Sequence, residues 1–133
     1  MKSRVVLIVD DMAINRQGTA LAVQGFGFDT DEAEDGLSAL EKFKAAAYAA
    51  ILMDCQMPRM NGFECTAKIR EMEKGTGCRI PIIGLTASTA ADIEESCLKA
   101  GMDDYIDKSC RNTELQRMLE KWALKQVCET SDR

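Results

Sequence analysis

The sequence predicts an α/β fold built on a parallel sheet buried on both faces, and three observations carry that expectation. Short apolar runs alternate with longer amphipathic segments along the chain. The strongest runs, VVLIV (5–9), AAILM (49–53) and IPIIGL (80–85), lack the polar alternation of a sheet with one wet face. Each is followed by a helical pattern, the arrangement of right-handed βαβ crossovers. Two weaker runs, FDTDEA (28–33) and DYI (104–106), complete five strands alternating with five helices.

The helices have recognisable ends. The first covers about 12–25, with Asp11 expected as its cap and Gly25 and Gly27 at its close. Asp35 opens the second, 36–46, and the third, about 61–74, is closed by the GTG at 75–77. Thr89-x-x-Asp92 reads as a capping box for the fourth, which stops before Gly101. The last, about 111–126, places Leu115, Met118, Leu119 and Trp122 at i, i+3, i+4 and i+7, a core stripe rather than a ligand-binding one.

Composition narrows the function. At 133 residues, 46% hydrophobic and 29% charged, the chain suits one globular domain. A net charge of −5 and no basic cluster argue against autonomous nucleic-acid binding. The longest apolar run, AAAYAAILM, is nine residues, against the roughly 20 that a membrane helix needs. A cytoplasmic domain without membrane contact of its own is the expectation. The six cysteines form no C-x-x-C pair and the chain has no histidine. That removes zinc-finger, Cys/His and serine-triad chemistry, and leaves reduced thiols as small apolar fillers. Any chemistry must use carboxylates, hydroxyls and lysine.

Those groups fall in one place. Asp10 and Asp11 follow the first strand, Asp54 the third, Thr86 the fourth, and Lys108 the fifth by two residues. In open parallel sheets the carboxyl ends of the strands form the ligand crevice. Singly, each has an ordinary role as cap, turn residue, loop hydroxyl or solvated charge. Together, three carboxylates repel by on the order of 4 kcal/mol per pair at about 4 Å and an effective dielectric of about 20, so the rim calls for cations. Mg²⁺, a hard oxygen-seeking ion, meets that need, and Lys108 adds a second positive charge. An aspartate beside both can attack phosphorus, which makes Asp54 the candidate nucleophile of an acyl phosphate.

At this point LIVDD, LMDCQMPRMNGFE, IIGLTAS and AGMDDYIDK, with their spacing, resemble the receiver domain of two-component response regulators over about 4–126. The resemblance implies a flavodoxin-like (βα)5 fold with strand order 2-1-3-4-5 and helices on both faces. It implies a receiver domain over 1–128 and a short polar tail at 129–133. It further implies that Asp54 takes a phosphoryl group from a phosphohistidine on a partner histidine kinase. Mg²⁺, or Mn²⁺ in its place, would be held by Asp10, Asp11, Asp54 and the backbone carbonyl of Gln56. Lys108 and Thr86 would contact the phosphoryl group, and Tyr105 would turn inward behind Thr86 as the switch aromatic. The output surface would be the fourth helix, fifth strand and fifth helix, read by a downstream protein. Such a domain phosphorylates itself from its donor and slowly loses the phosphate, without turning over as an enzyme. DDMAINR, LMDCQMP and GLTA look most like receivers of hybrid sensor histidine kinases, which commonly pass phosphate to a histidine phosphotransfer domain. The chain is then the cytoplasmic portion of a membrane-anchored kinase or a stand-alone receiver.

Four positions depart from the family or tune it. Ser109 stands where proline usually follows the lysine in a cis peptide, and a cis bond before serine would cost about 2.5–4 kcal/mol. Met12 follows the acid pair where a polar residue is common. Gln56 and Ser88 occupy positions that set phosphate lifetime in the family. Among rivals, a haloacid-dehalogenase-like phosphatase wants D-x-D where this chain has adjacent acids, and a flavodoxin wants a phosphate loop that MAINR is not. A receiver-like module that binds partners without phosphorylation is the serious alternative.

Overall fold

The computed structural model describes residues 4–55, 57, 60–86, 91–108, 111–123 and 127–128, without the side chains of 91–94, 127 and 128. In chain order the elements are β1 (Val5–Val9), α1 (Ala13–Gly25), β2 (Asp29–Ala33), α2 (Gly36–Ala45), β3 (Ala50–Asp54) and α3 (Gly62–Glu73). They continue as β4 (Cys78–Arg79), β5 (Ile82–Thr86), α4 (Ala91–Ala100), β6 (Asp104–Asp107), α5 (Asn112–Ala123) and β7 (Val127–Cys128). Strands β2-β1-β3-β5-β6 form one sheet in that order, every pairing parallel. This is the expected 2-1-3-4-5 order, since β4 lies outside the sheet and pairs with β7 instead.

Two apolar layers explain why the central strands carry no polar alternation. Successive side chains of a strand point to opposite faces, and here both faces are covered. Leu7, Val9, Ile51, Met53 and Ile82 pack with Ala39 of α2, Cys65 and Ile69 of α3, and Cys97 of α4. Their neighbours Val6, Ile8, Ala50, Leu52, Ile83 and Leu85 pack with Ala20 and Val23 of α1 and Leu115 and Leu119 of α5. At about 25 cal/mol per Å² of apolar surface removed from water, these layers are the main driving force for the fold.

Most predicted helix ends hold. Asp35 caps α2 by accepting from the Ser38 N–H at 2.8 Å, and α4 ends before Gly101, whose φ of +107° suits glycine. In α5, Leu115 and Leu119 are buried while Met118 and Trp122 flank them. Trp122 also donates its indole N–H to Asp104 at 3.0 Å, tying α5 to β6.

Other expectations need correction. Asp11 does not cap α1: Met12 occupies the N-cap position and offers no side-chain cap, because the Asp11 carboxylate joins the acids of the rim instead. β3 runs one residue further than its apolar run, so Asp54 is the last strand residue rather than a turn residue. β6 reaches Asp107, which brings Lys108 directly to the strand end. The thiols are not all reduced fillers. Cys55, Cys65 and Cys97 are free and buried, whereas Cys78 is disulfide-bonded. The Thr89 capping box, Gln56, Ser88 and the Lys108–Ser109 peptide lie outside the described residues.

Candidate phosphoacceptor site

The sheet order changes direction between β1 and β3, which leave their neighbours on opposite sides. Asp10 follows β1, Asp54 ends β3 and Thr86 ends β5, so parallel pairing delivers all three to one edge. Asp10, Asp54 and Thr86 are each at most 2% exposed. Carboxylate oxygens of Asp10, Asp11 and Asp54 all lie within 4.8 Å of one another, Asp11 being the exposed member. Lys108 Nζ is 3.0 Å from Asp54 Oδ1 and 4.0 Å from Asp10 Oδ2.

Local geometry holds each group. The Lys108 N–H donates to the Thr86 carbonyl at 2.8 Å, fixing the lysine beside the β5 end. Asp10 accepts from the Met12 N–H through Oδ1 at 3.0 Å, which leaves Oδ2 turned toward the lysine. Its backbone is anchored on both sides, by its N–H to the Ala33 carbonyl and by Arg16 Nη1 donating to its own carbonyl at 2.9 Å. Arg16 is held in turn by Glu32 at 2.9 Å. Tyr105, opposite Gly84 in the ladder, is half-buried against the layer of α2, α3 and α4.

Two contributors were not read from the sequence. Arg16 of α1 reaches back to the Asp10 carbonyl and sideways to Glu32 on the adjacent β2, and a basic residue in an amphipathic helix gives no hint of either. Gly62, at the start of α3, lies so close to β3 that a Cβ there would collide with the Asp54 carbonyl. Asn61 and Glu64 form a capping box that seats this helix end; the NGFE string carried that signal.

The chemistry of the donors selects among cations and nucleophiles. Three carboxylates in reach of one another, with no imidazole in the chain, form an oxygen-only set that fits Mg²⁺ and not a thiolate- or imidazole-bound metal. Cys55, next to Asp54, is no rival nucleophile. Burial, then the neighbouring Cys97 thiol, pushes its thiol far above the ordinary value, and a protonated buried thiol is inert.

Comparison with known proteins agrees. The profile of the response regulator receiver domain matches residues 6–120. The hybrid signal transduction protein dokA of Dictyostelium discoideum is 38% identical over 119 residues, covering 90% of this chain and 7% of that protein. Histidine kinase 3 of Arabidopsis thaliana is 34% identical over 138 residues, covering 90% of this chain and 13% of its own length. The chain thus spans a small part of these relatives. Among solved structures, the receiver domain of sensor histidine kinase PA1611 from Pseudomonas aeruginosa, with a magnesium ion coordinated in its active site cleft, superposes with a TM-score of 0.82. It shares 36% identity over 91% of this chain and 98% of that one. The Saccharomyces cerevisiae Ssk1 receiver domain, crystallised with the histidine phosphotransfer protein Ypd1, gives a TM-score of 0.87 at 27% identity over 98% of this chain and 96% of that one. The carboxylate rim, the sheet order that assembles it and these matches lead to one identification: the chain belongs to the response regulator receiver domain family.

Proposed function

We propose that Asp54 is the phosphoacceptor of a phosphorelay and that Asp10, Asp11 and the Gln56 carbonyl join it in holding Mg²⁺, with Mn²⁺ as a substitute. The observation that carries this reading is the meeting of Asp10, Asp11 and Asp54 within 4.8 Å of one another, with Lys108 Nζ 3.0 Å from Asp54. When bound, the ion neutralises charge on the transferring phosphoryl group. An Asp54 carboxylate oxygen attacks the phosphorus of a phosphohistidine, the P–N bond breaks, and the imidazole leaves with the bonding electrons. Lys108 holds the carboxylate in place and offsets the negative charge that accumulates as the acyl phosphate forms. Thr86 and Lys108 then contact the new phosphoryl oxygens, while Tyr105 follows Thr86 inward.

The output is a population shift. Phosphorylation adds a charge of about −1.5 to −2, and it biases the two states only through contacts that differ between them. The surface affected is that of α4, β6 and α5, and a downstream protein reads it. The donor side is a histidine kinase or histidine phosphotransfer domain, in keeping with a chain that has no histidine and with a receiver relative seen bound to such a protein. Met12 and Ile14, 55% and 82% exposed beside the acid rim, offer this partner an apolar landing. Residues 1–128 act as one receiver unit, on the cytoplasmic side, as a stand-alone protein or within a membrane-anchored hybrid kinase. Among the described residues no helix is long and apolar enough to cross a membrane.

The test is incubation with acetyl phosphate and Mg²⁺ followed by intact mass measurement. The wild type should gain one phosphoryl group that is lost on mild alkaline treatment, and Asp54→Asn should gain none. A wild type that stays unmodified while binding its partner equally well would favour the phosphorylation-independent module.

A further inference from the structure

Among the described residues, the β4–β7 pair is required neither by the five-strand sheet nor by the acid rim. Its register sets Cys78 directly opposite Cys128, and Arg79 opposite Val127, in an antiparallel ladder. Residues facing each other in such a ladder have Cα atoms about 4.5–5.5 Å apart, inside the range that a disulfide spans. Cys78 is disulfide-bonded. Cys55, Cys65 and Cys97 are free and buried in the core, so they are not its partners. We propose that Cys78 and Cys128 form a redox clasp that fastens the C-terminal strand, and with it the end of α5, to the segment leading into β5.

Three further observations give the clasp a purpose. A ladder of two residues on each side is too short to hold itself in water, so β7 depends on the covalent link. The family match contains β4 and ends at residue 120, before β7 begins, so the clasp ties the C-terminal strand to the body of the receiver frame. The ring that it closes runs from Cys78 to Cys128 and contains β5, α4, β6 and α5. Every element that carries Thr86, Tyr105 and Lys108 therefore lies inside one covalent loop. The clasp restrains α5 from its far end, whereas Leu119 and the Trp122–Asp104 hydrogen bond hold it from the core side.

Cys78 is partly exposed, within reach of small oxidants. The step is thiol–disulfide exchange with a low-molecular-weight disulfide such as oxidised glutathione. One cysteine thiolate attacks the glutathione disulfide and releases one glutathione thiolate. The second cysteine thiolate then displaces the other glutathione, so the protein loses two electrons and two protons and the oxidant becomes two thiols. In a reducing compartment the dithiol is the resting form, and closure of the clasp reports oxidation.

The experiment equilibrates the full chain with oxidised or reduced glutathione and maps disulfides in non-reducing digests. Amide exchange of the last turn of α5 and the melting temperature are then followed. Oxidised wild type should yield one peptide pair joining Cys78 to Cys128 and melt at least about 5 °C higher than the reduced form. It should also exchange residues 119–123 at least about tenfold more slowly. Cys128→Ser should lose all three differences, and so should Cys78→Ser, while Cys65→Ser should keep them. Linkage of Cys78 to Cys110, a free Cys78 under oxidised glutathione, or identical exchange in both forms would overturn the proposal.

Discussion

Asp10 shows how one residue is made to serve the rim. Its carboxylate is nearly fully buried, yet it spends one oxygen on the Met12 N–H and turns the other toward Lys108. Asp11 is the exposed member of the trio, so its removal tests the ion site with the least damage to the core. Asp11→Asn should bind Mg²⁺ at least about tenfold more weakly, measured by isothermal titration calorimetry, because a full charge is lost from the first contact layer. The substitution should leave the urea midpoint without Mg²⁺ unchanged or raised, since it also relieves repulsion. Asp31 illustrates a different balance. Burial acts to raise its pKa, but hydrogen bonds from Lys42, Tyr48 and the Glu32 N–H outweigh burial and hold it below 3.8. A depressed carboxyl stabilises the fold above its unfolded pKa and loses that contribution as pH falls through the folded value. The stability advantage of wild type over Asp31→Asn should therefore be present at about pH 6 and be lost as acidification carries the pH below the ordinary aspartate range and through the depressed folded value. Urea midpoints across that range check it, and an advantage that persists in acid would contradict the assignment.

At the scale of elements, the rim depends on how closely α3 approaches β3. The capping box of Asn61 and Glu64 fixes where the helix starts. Gly62 then permits contact with the Asp54 backbone that no side chain would allow. Gly62→Ala should cost about 1–3 kcal/mol in urea unfolding, through the backbone shift needed to relieve the collision. It should also slow acetyl phosphate labelling, because the displaced atoms belong to Asp54, the proposed phosphoacceptor. The central strands were legible because two covered faces leave a signature of unbroken apolar residues, as in VVLIV. The Asp35 cap and the Gly101 stop were legible because they are local. The Asp11 cap was misread for a physical reason: a carboxylate cannot cap a helix and face an acid cluster at once, and tertiary geometry decides between them. β4 and β7 escaped notice because two residues give no periodicity, and their pairing joins positions 50 apart in the chain. The assumption that every thiol was a core filler failed at Cys78 for the same reason.

For the whole molecule, the rim is a product of topology rather than of any one segment. Asp10, Asp54, Thr86 and Lys108 are spread over most of the sequence, and only a parallel sheet whose order reverses at β1 and β3 gathers their strand ends on one edge. The residues of the rim could be read because each stands at the end of an apolar run where a core would not choose a polar group. Arg16, which steadies Asp10, could not, because its contact exists only once α1 has packed beside β2. The most direct test of the whole account is chemical trapping of the phosphorylated residue. Borohydride reduction of protein treated with acetyl phosphate and Mg²⁺ should convert residue 54, and no other aspartate, to homoserine in peptide sequencing by mass spectrometry. Homoserine at Asp10 or Asp11, or at none of the three, would contradict it.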